Sequence, residues 1–188
     1  MNGDDVALVR RCLNGEEAGL RAFVERFQGI VFGLCYRMLG HREDAEDVAQ
    51  EVFLRVFKSL HRWDFQRPLK PWVLQIAVNR CRTFLAKRAK RPLQAADHAL
   101  QTLAAQDRLT QRDIAEEVQN ALESLREEYR TCFVLFYQQQ LSCAEIAQVM
   151  GCPEGTVKTW LHRARHELAE RLRRRGITPD SGHELRRV

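Results

Sequence analysis

The sequence predicts an all-α chain of two small helical domains joined by a flexible linker, and three observations carry that prediction. Apolar residues recur at steps of three and four through most of the 188 residues. Only ten Gly and five Pro occur, too few for a turn-rich β-sandwich or a low-complexity chain. The periodicity lapses for a long stretch only once, over residues 89–112, where Lys90-Arg91-Pro92 ends a helix and an Ala/Gln-rich run follows. That divides the chain into a first domain over 1–88, a linker over 89–112, a second domain over 113–175 and a tail over 176–188.

Each element has its own signals. With Asp4 as N-cap, Val6, Leu8, Val9 and Leu13 form a short helix ended by Gly15. From Glu16 to Leu39, Leu20, Phe23, Val24, Phe27, Ile30, Val31, Leu34, Cys35 and Met38 make one apolar stripe, and Gly40 supplies a left-handed cap. A third helix runs from about Arg42 to Leu60, with Ala45, Val48, Ala49, Val52, Phe53, Val56, Phe57 and Leu60 inward. The stretch Trp63–Pro71 breaks the pattern, and a fourth helix is expected from Trp72 to Lys87. In the second domain, Ile114, Val118, Ala121, Leu122 and Leu125 share a face, and Phe133, Val134, Phe136 and Tyr137 supply the next helix. The tail after Gly176 should fray.

Charge is distributed in blocks. Net charge is +5 overall, but residues 1–50 carry −3, 51–100 carry +8, 101–150 carry −4 and 151–188 carry +4. This acidic-then-basic profile, met twice, suits two modules that each offer one surface to a basic protein and another to phosphates. No apolar run reaches the roughly 18 residues of a membrane span, and Arg10 and Arg11 interrupt any signal-peptide core, so a cytoplasmic chain without membrane insertion is expected. The six cysteines are dispersed and form no C-x-x-C pair, which suits buried, reduced thiols.

The strongest local motif is Ser142–Arg165. Ser142-Cys143-Ala144-Glu145 fits a capping box, Gly151 a tight interhelix turn, and Pro153 the first position of the next helix. Val157, Leu161, Ala164 and Leu168 then point inward, leaving Lys158, Thr159, His162, Arg163 and Arg165 outward. A short helix, a glycine turn and a basic-faced helix make a helix-turn-helix, suited to the DNA major groove. In the first domain, Asp44, Asp47 and Glu51, with Gln50, form an acidic stripe opposite the apolar one. The Trp63–Trp72 segment mixes aromatic rings with cations, a combination that stacks unpaired bases and holds phosphate. Gln75, Asn79 and Arg82 recur on one polar face of the fourth helix.

Together these motifs resemble a bacterial RNA polymerase sigma factor of the extracytoplasmic-function (ECF) group of the sigma-70 family, most of all the envelope-stress type. The resemblance rests on residues 44–53 (DAEDVAQEVF) and 71–80 (PWVLQIAVNR), then on 141–147 (LSCAEIA) and 155–165 (GTVKTWLHRAR). It implies sigma region 2 and region 4 domains, the first docking on the clamp helices of the polymerase β′ subunit and opening the −10 element, the second binding the β flap and reading the −35 element. By position it places Asp44, Asp47, Gln50 and Glu51 on the clamp-contacting face. It places Ser59, Asn79 and Arg82 near the −10 DNA, with Asp64, Phe65, Gln66 and Arg67 in the loop that forms the pocket for an extruded base. Lys158, Thr159, His162, Arg163 and Arg165 fall on the −35-reading face; Trp160 and His162 depart from the family pattern. It also implies an anti-sigma factor as a one-to-one inhibitor.

No cofactor or metal is expected. His162 and His166 are four apart, but two arginines lie between them where a zinc protease would place a Glu. No phosphate-binding glycine loop and no Ser/His/Asp grouping occurs, so no catalytic residue is assigned. The rival reading is a conventional helix-turn-helix regulator; it needs a receiver, ligand-binding or dimer domain in front, and residues 1–88 show no βα alternation.

Overall fold

A computed structural model describes residues 3–90 and 111–174, with side chains from residue 117 onward in the second stretch. The expected linker over 89–112 therefore lies outside the described residues except for its ends, which belong to helices, and the tail over 176–188 lies wholly outside them. The described residues are helical and contain no strand.

Helix α1 spans Gly3–Leu13, so Asp4 sits inside its first turn and not at the cap. α2 covers Glu17–Leu39 and ends at Gly40, whose φ of 77° needs a residue free to be left-handed. A Cβ at Gly40 would also run into the Glu123 carboxylate of the second half. α3 covers Arg42–Ser59 and tightens into a 3₁₀ turn over Leu60–Arg62. α4 covers Leu69–Lys90, beginning three residues before the expected start. Pro71 is tolerated because first-turn amides have no intrahelical acceptor to lose.

The second half comprises α5 (Gln111–Glu123), α6 (Glu127–Phe133), α7 (Cys143–Met150) and α8 (Glu154–Arg174). The backbone of α6 does not stop at Phe133 but widens into a π turn over Val134–Gln138, closed by Gln139 N–H donating to the Val134 carbonyl at 3.1 Å. Gln140, left-handed at φ 55°, then turns the chain toward α7.

The apolar stripes read from the sequence face one another. Phe23, Phe27, Val31, Leu34 and Met38 of α2 are buried against Val48, Val52 and Val56 of α3 and Leu69, Val73, Leu74 and Ala77 of α4. The Phe23 ring lies 4.8 Å from Phe27 and 5.4 Å from Phe57, so one residue ties α2 to α3. α1 is strapped on by an Arg26–Asp5 ion pair whose guanidinium also sits 5.3 Å over Phe27.

The boundary between halves is not a gap in packing. The core around Phe23 runs on through Cys132, Val134, Leu135, Leu141, Ile146, Val149, Val157 and Leu161 of the second half. Ala121, Leu122, Leu125, Tyr129, Ala164 and Leu168 form a smaller cluster of their own, and Trp160 touches both. The side chain of Ile114, expected on that face, lies outside the described residues. Removing the Phe23 ring leaves a cavity at the α2–α3 contact. Phe23→Ala should lower unfolding stability by about 3–5 kcal/mol, read from the urea midpoint at unchanged slope.

Candidate nucleic-acid interface

The helix-turn-helix is built as its sequence chemistry requires. Ser142 Oγ accepts from the Glu145 N–H at 3.2 Å, and the Glu145 carboxylate accepts from the Ser142 N–H at 2.8 Å, so two otherwise orphan amides are satisfied reciprocally. Gly151 ends α7 at φ 66°. Pro153 stands at the N-cap of α8 and not as its first residue: its carbonyl accepts from the Thr156 N–H at 3.0 Å, and the helix begins at Glu154. Val157, Leu161, Ala164 and Leu168 are buried, and Lys158, Thr159, His162, Arg163 and Arg165 are exposed.

Those five outward residues are not equivalent. At roughly 100° per residue, Thr159 and His162 lie near the middle of the outward face, and His166, also exposed, lies between them. His166 was not among the residues singled out from the sequence for this face; its i+4 relation to His162 was the available signal. Lys158 pairs with Glu154 at 2.8 Å, and that hydrogen bond and charge hold its ammonium above the usual lysine range. Arg163 donates to the Tyr129 hydroxyl of α6 at 3.0 Å, which raises its pKa and pins its guanidinium to the flank of α8. Arg165 donates back to the Leu161 carbonyl at 3.3 Å.

In the first half, Asp47, Gln50 and Glu51 point outward from α3, and Asp44 is half-buried. Two of these carboxylates already have cations from α4: Glu51 pairs with Arg80, and Asp44 with Arg88 at 3.4 Å. Leu54 follows Asp47, Gln50 and Glu51 at steps of seven, four and three, which puts it on the same face at the C-terminal end of their stripe, and it is 71% exposed. Sequence reasoning passed it over because it looked for charge; an apolar residue repeating on a polar face was the signal.

The expected base pocket has a defined loop. Asp64 Oδ1 accepts from the Gln66 N–H at 3.0 Å, the Arg67 N–H donates to the Asp64 carbonyl at 2.9 Å, and Arg67 pairs with the Asp64 carboxylate at 3.4 Å. Phe65 is 43% exposed and rests on the buried Trp63, ring centroids 5.1 Å apart. The Ser59 hydroxyl donates to the Arg55 carbonyl at 2.6 Å, closing α3. Asn79 is exposed on α4, and Arg82, on the same face, turns to Glu127 at 2.9 Å. Loop 64–67 thus leads into α4, Asn79 lies midway along that helix, and Arg82 is committed to the second half.

Residues 23–91 match the family model Sigma-70 region 2, and residues 115–168 match Sigma-70, region 4. The chain belongs to the ECF group of the sigma-70 family. ECF RNA polymerase sigma factor SigW of Bacillus subtilis is 31% identical over 88% of this chain and 95% of its own length. RNA polymerase sigma-H factor of Pseudomonas aeruginosa is also 31% identical, over 89% and 93%. Among solved structures, CnrH in complex with the cytosolic domain of CnrY superposes with TM-score 0.66, 22% identity and coverage of 89% and 96%. The sigma factor RpoE of Bartonella quintana, in complex with the anti-sigma factor NepR, gives TM-score 0.67 at 22% identity, covering 81% and 96%. These two share the fold. Within this ECF sigma factor, the region 2 match runs from Phe23 of α2 through α4, and the region 4 match runs from α5 into α8.

The cysteines of this ECF factor sit in packing positions. Burial pushes the Cys132 thiol up to about 12, and Cys81 is raised by its contact with Cys35, Sγ to Sγ 3.7 Å, and by burial. Protonated thiols are poor nucleophiles near neutral pH. Among the described residues, no group of three or more His, Cys, Asp or Glu side chains is arranged to hold a metal ion, and no helix is long and apolar enough to cross a membrane.

Proposed function

We propose that this sigma factor binds core RNA polymerase through the α3 stripe and promoter DNA through three elements: the 64–67 loop, α4 and α8. It directs initiation at promoters with −10 and −35 elements, contributing binding while the polymerase performs the chemistry in the cytoplasm. The observation that supports this most is the α3 stripe. Asp47, Gln50 and Glu51 run into the exposed Leu54 on one face of α3, so an apolar contact adjoins polar ones, the two components of protein interfaces. A DNA-binding regulator of the ordinary helix-turn-helix kind would use α8 but has no role for this stripe or for the Phe65 loop. The same stripe is the surface an anti-sigma factor would cover to exclude the polymerase in a one-to-one complex.

For the −10 element, an extruded base costs a few kcal/mol of lost stacking. Phe65, propped on Trp63, offers a replacement ring face worth about 1–3 kcal/mol, and the Asn79 amide can both donate and accept at a base edge. At the −35 element, Thr159, His162 and His166 would face the groove, with Lys158 and Arg163 on the flanks toward phosphates.

Two measurements check these roles. A variant with Asp47→Ala, Gln50→Ala, Glu51→Ala and Leu54→Ala should stay folded, since all four side chains are exposed, yet lose at least tenfold in affinity for core polymerase; unaltered binding in a pull-down titration contradicts the α3 reading. Asn79→Ala should keep polymerase binding and slow promoter opening or relax −10 selectivity. Permanganate reactivity and −10 selectivity identical to the parent would remove the base pocket.

A further inference from the structure

Two arginines of region 4 converge on one tyrosine. Tyr129 of α6 is 4% exposed, its ring packed with Leu122, Leu125, Ala164 and Leu168 in the smaller apolar cluster. Its hydroxyl accepts from Arg163 Nη1 of α8 at 3.0 Å. The Arg126 guanidinium lies over the ring of the same residue, 5.6 Å from its centroid. Arg126 is the N-cap of α6, three residues before Tyr129, so one helical turn brings it there. Both arginines are exposed, and among the described residues neither is paired with a carboxylate. Glu127, next in the chain to Arg126, pairs with Arg82 at 2.9 Å. Glu167, whose charge reaches Arg163, pairs with Arg171 at 3.7 Å.

A surface arginine loses rotamer freedom when it takes a ligand, and a site that fixes it beforehand removes that cost. Arg163 gives one N–H to the tyrosine hydroxyl and keeps the rest of its fork for an anion. Arg126 is held by the ring face, a contact that consumes none of its donors. Because the ring is anchored in the apolar cluster of region 4, both cations are fixed to one packed body. Arg163 lies on the flank of α8 that meets α6, beside the outward Thr159, His162 and His166. The ligand chemistry that fits a pair of guanidiniums on the edge of a groove-facing helix is the DNA phosphodiester.

We propose that Tyr129 is the positioning residue of a two-arginine phosphate clamp, in which Arg126 and Arg163 hold the DNA strand bordering the groove that α8 enters. The proposal rests on the reading of α8 as the DNA-facing helix. It extends the −35 contact beyond α8 to the start of α6. It also makes a buried hydroxyl that touches no DNA a determinant of DNA affinity.

The test uses the full chain and a short fluorescent DNA duplex of mixed sequence, since a phosphate contact is independent of base sequence. Affinity is titrated across a series of potassium chloride concentrations. Arg126→Ala and Arg163→Ala should each reduce the steepness of log affinity against log salt by about 0.9, one phosphate apiece. Tyr129→Phe removes the hydroxyl alone and keeps the packed ring, so helical circular dichroism should persist while affinity falls roughly two- to tenfold. In an Arg163→Ala background the same change should cause no further loss, because the hydroxyl acts through Arg163. An equal loss in both backgrounds assigns the hydroxyl to the fold and overturns the positioning role. So does a Tyr129→Phe variant that binds like the parent, or one that loses its helical dichroism. Arg126→Ala at the parental steepness removes Arg126 from the clamp. Arg163→Ala at the parental steepness marks failure of the α8 reading itself, distinct from a Tyr129 that fails to position an arginine which does bind.

Discussion

Helix α4 is held on two sides at once, and most of the architecture follows from that double burial. One side inserts Leu69, Val73, Leu74, Ala77, Val78 and Cys81 between α2 and α3; the other lies against α6 and α7 through Gln75 and Arg82. Apolar burial supplies the free energy on the first side, where fully buried aliphatic side chains contribute about 1.5–3 kcal/mol each. On the second side polar and ionic contacts border the apolar seam. The joint between the regions and the proposed DNA contact thus share one element.

The charge blocks acquire a different meaning in this arrangement. The sequence suggested that acidic and basic segments serve outside partners. In the fold, part of the complementarity is internal: Asp44 and Glu51 meet Arg88 and Arg80, and Arg82 meets Glu127. The more exposed pairs, Asp44–Arg88 and Arg82–Glu127, contribute little net stability, on the order of 0–1 kcal/mol. That weakness suits surfaces that must give up an internal partner for phosphate or for a polymerase subunit, and it leaves Asp47, Gln50 and Leu54 as the part of α3 that needs no rearrangement.

What could be read from the sequence follows from how local each feature is. The capping box at Ser142, the left-handed Gly40 and Gly151, and the inward stripes of α2, α3 and α8 depend on neighbours within a turn or two, and periodicity exposes them directly. α4 starts ahead of Pro71, a residue that breaks the apolar pattern but that a first turn tolerates. The π turn after Phe133 has no periodic signature of its own. Cross-regional contacts such as Arg82–Glu127 and Gly40–Glu123 join residues far apart in sequence and emerge only once both halves have folded. At the candidate sites, residue type pointed to Asp47, Asn79 and His162. Leu54 carries no such signal, because it is apolar on a face where polarity is the rule.

Everything proposed for the surfaces requires that region 2 and region 4 serve one polymerase together. Transcription reconstituted from purified core RNA polymerase, this chain and fragmented genomic DNA measures that most directly, with start sites mapped by sequencing the 5′ ends. New start sites, absent with core polymerase alone and sharing two upstream elements at fixed spacing, are the result predicted. The same start sites with and without the chain would contradict it.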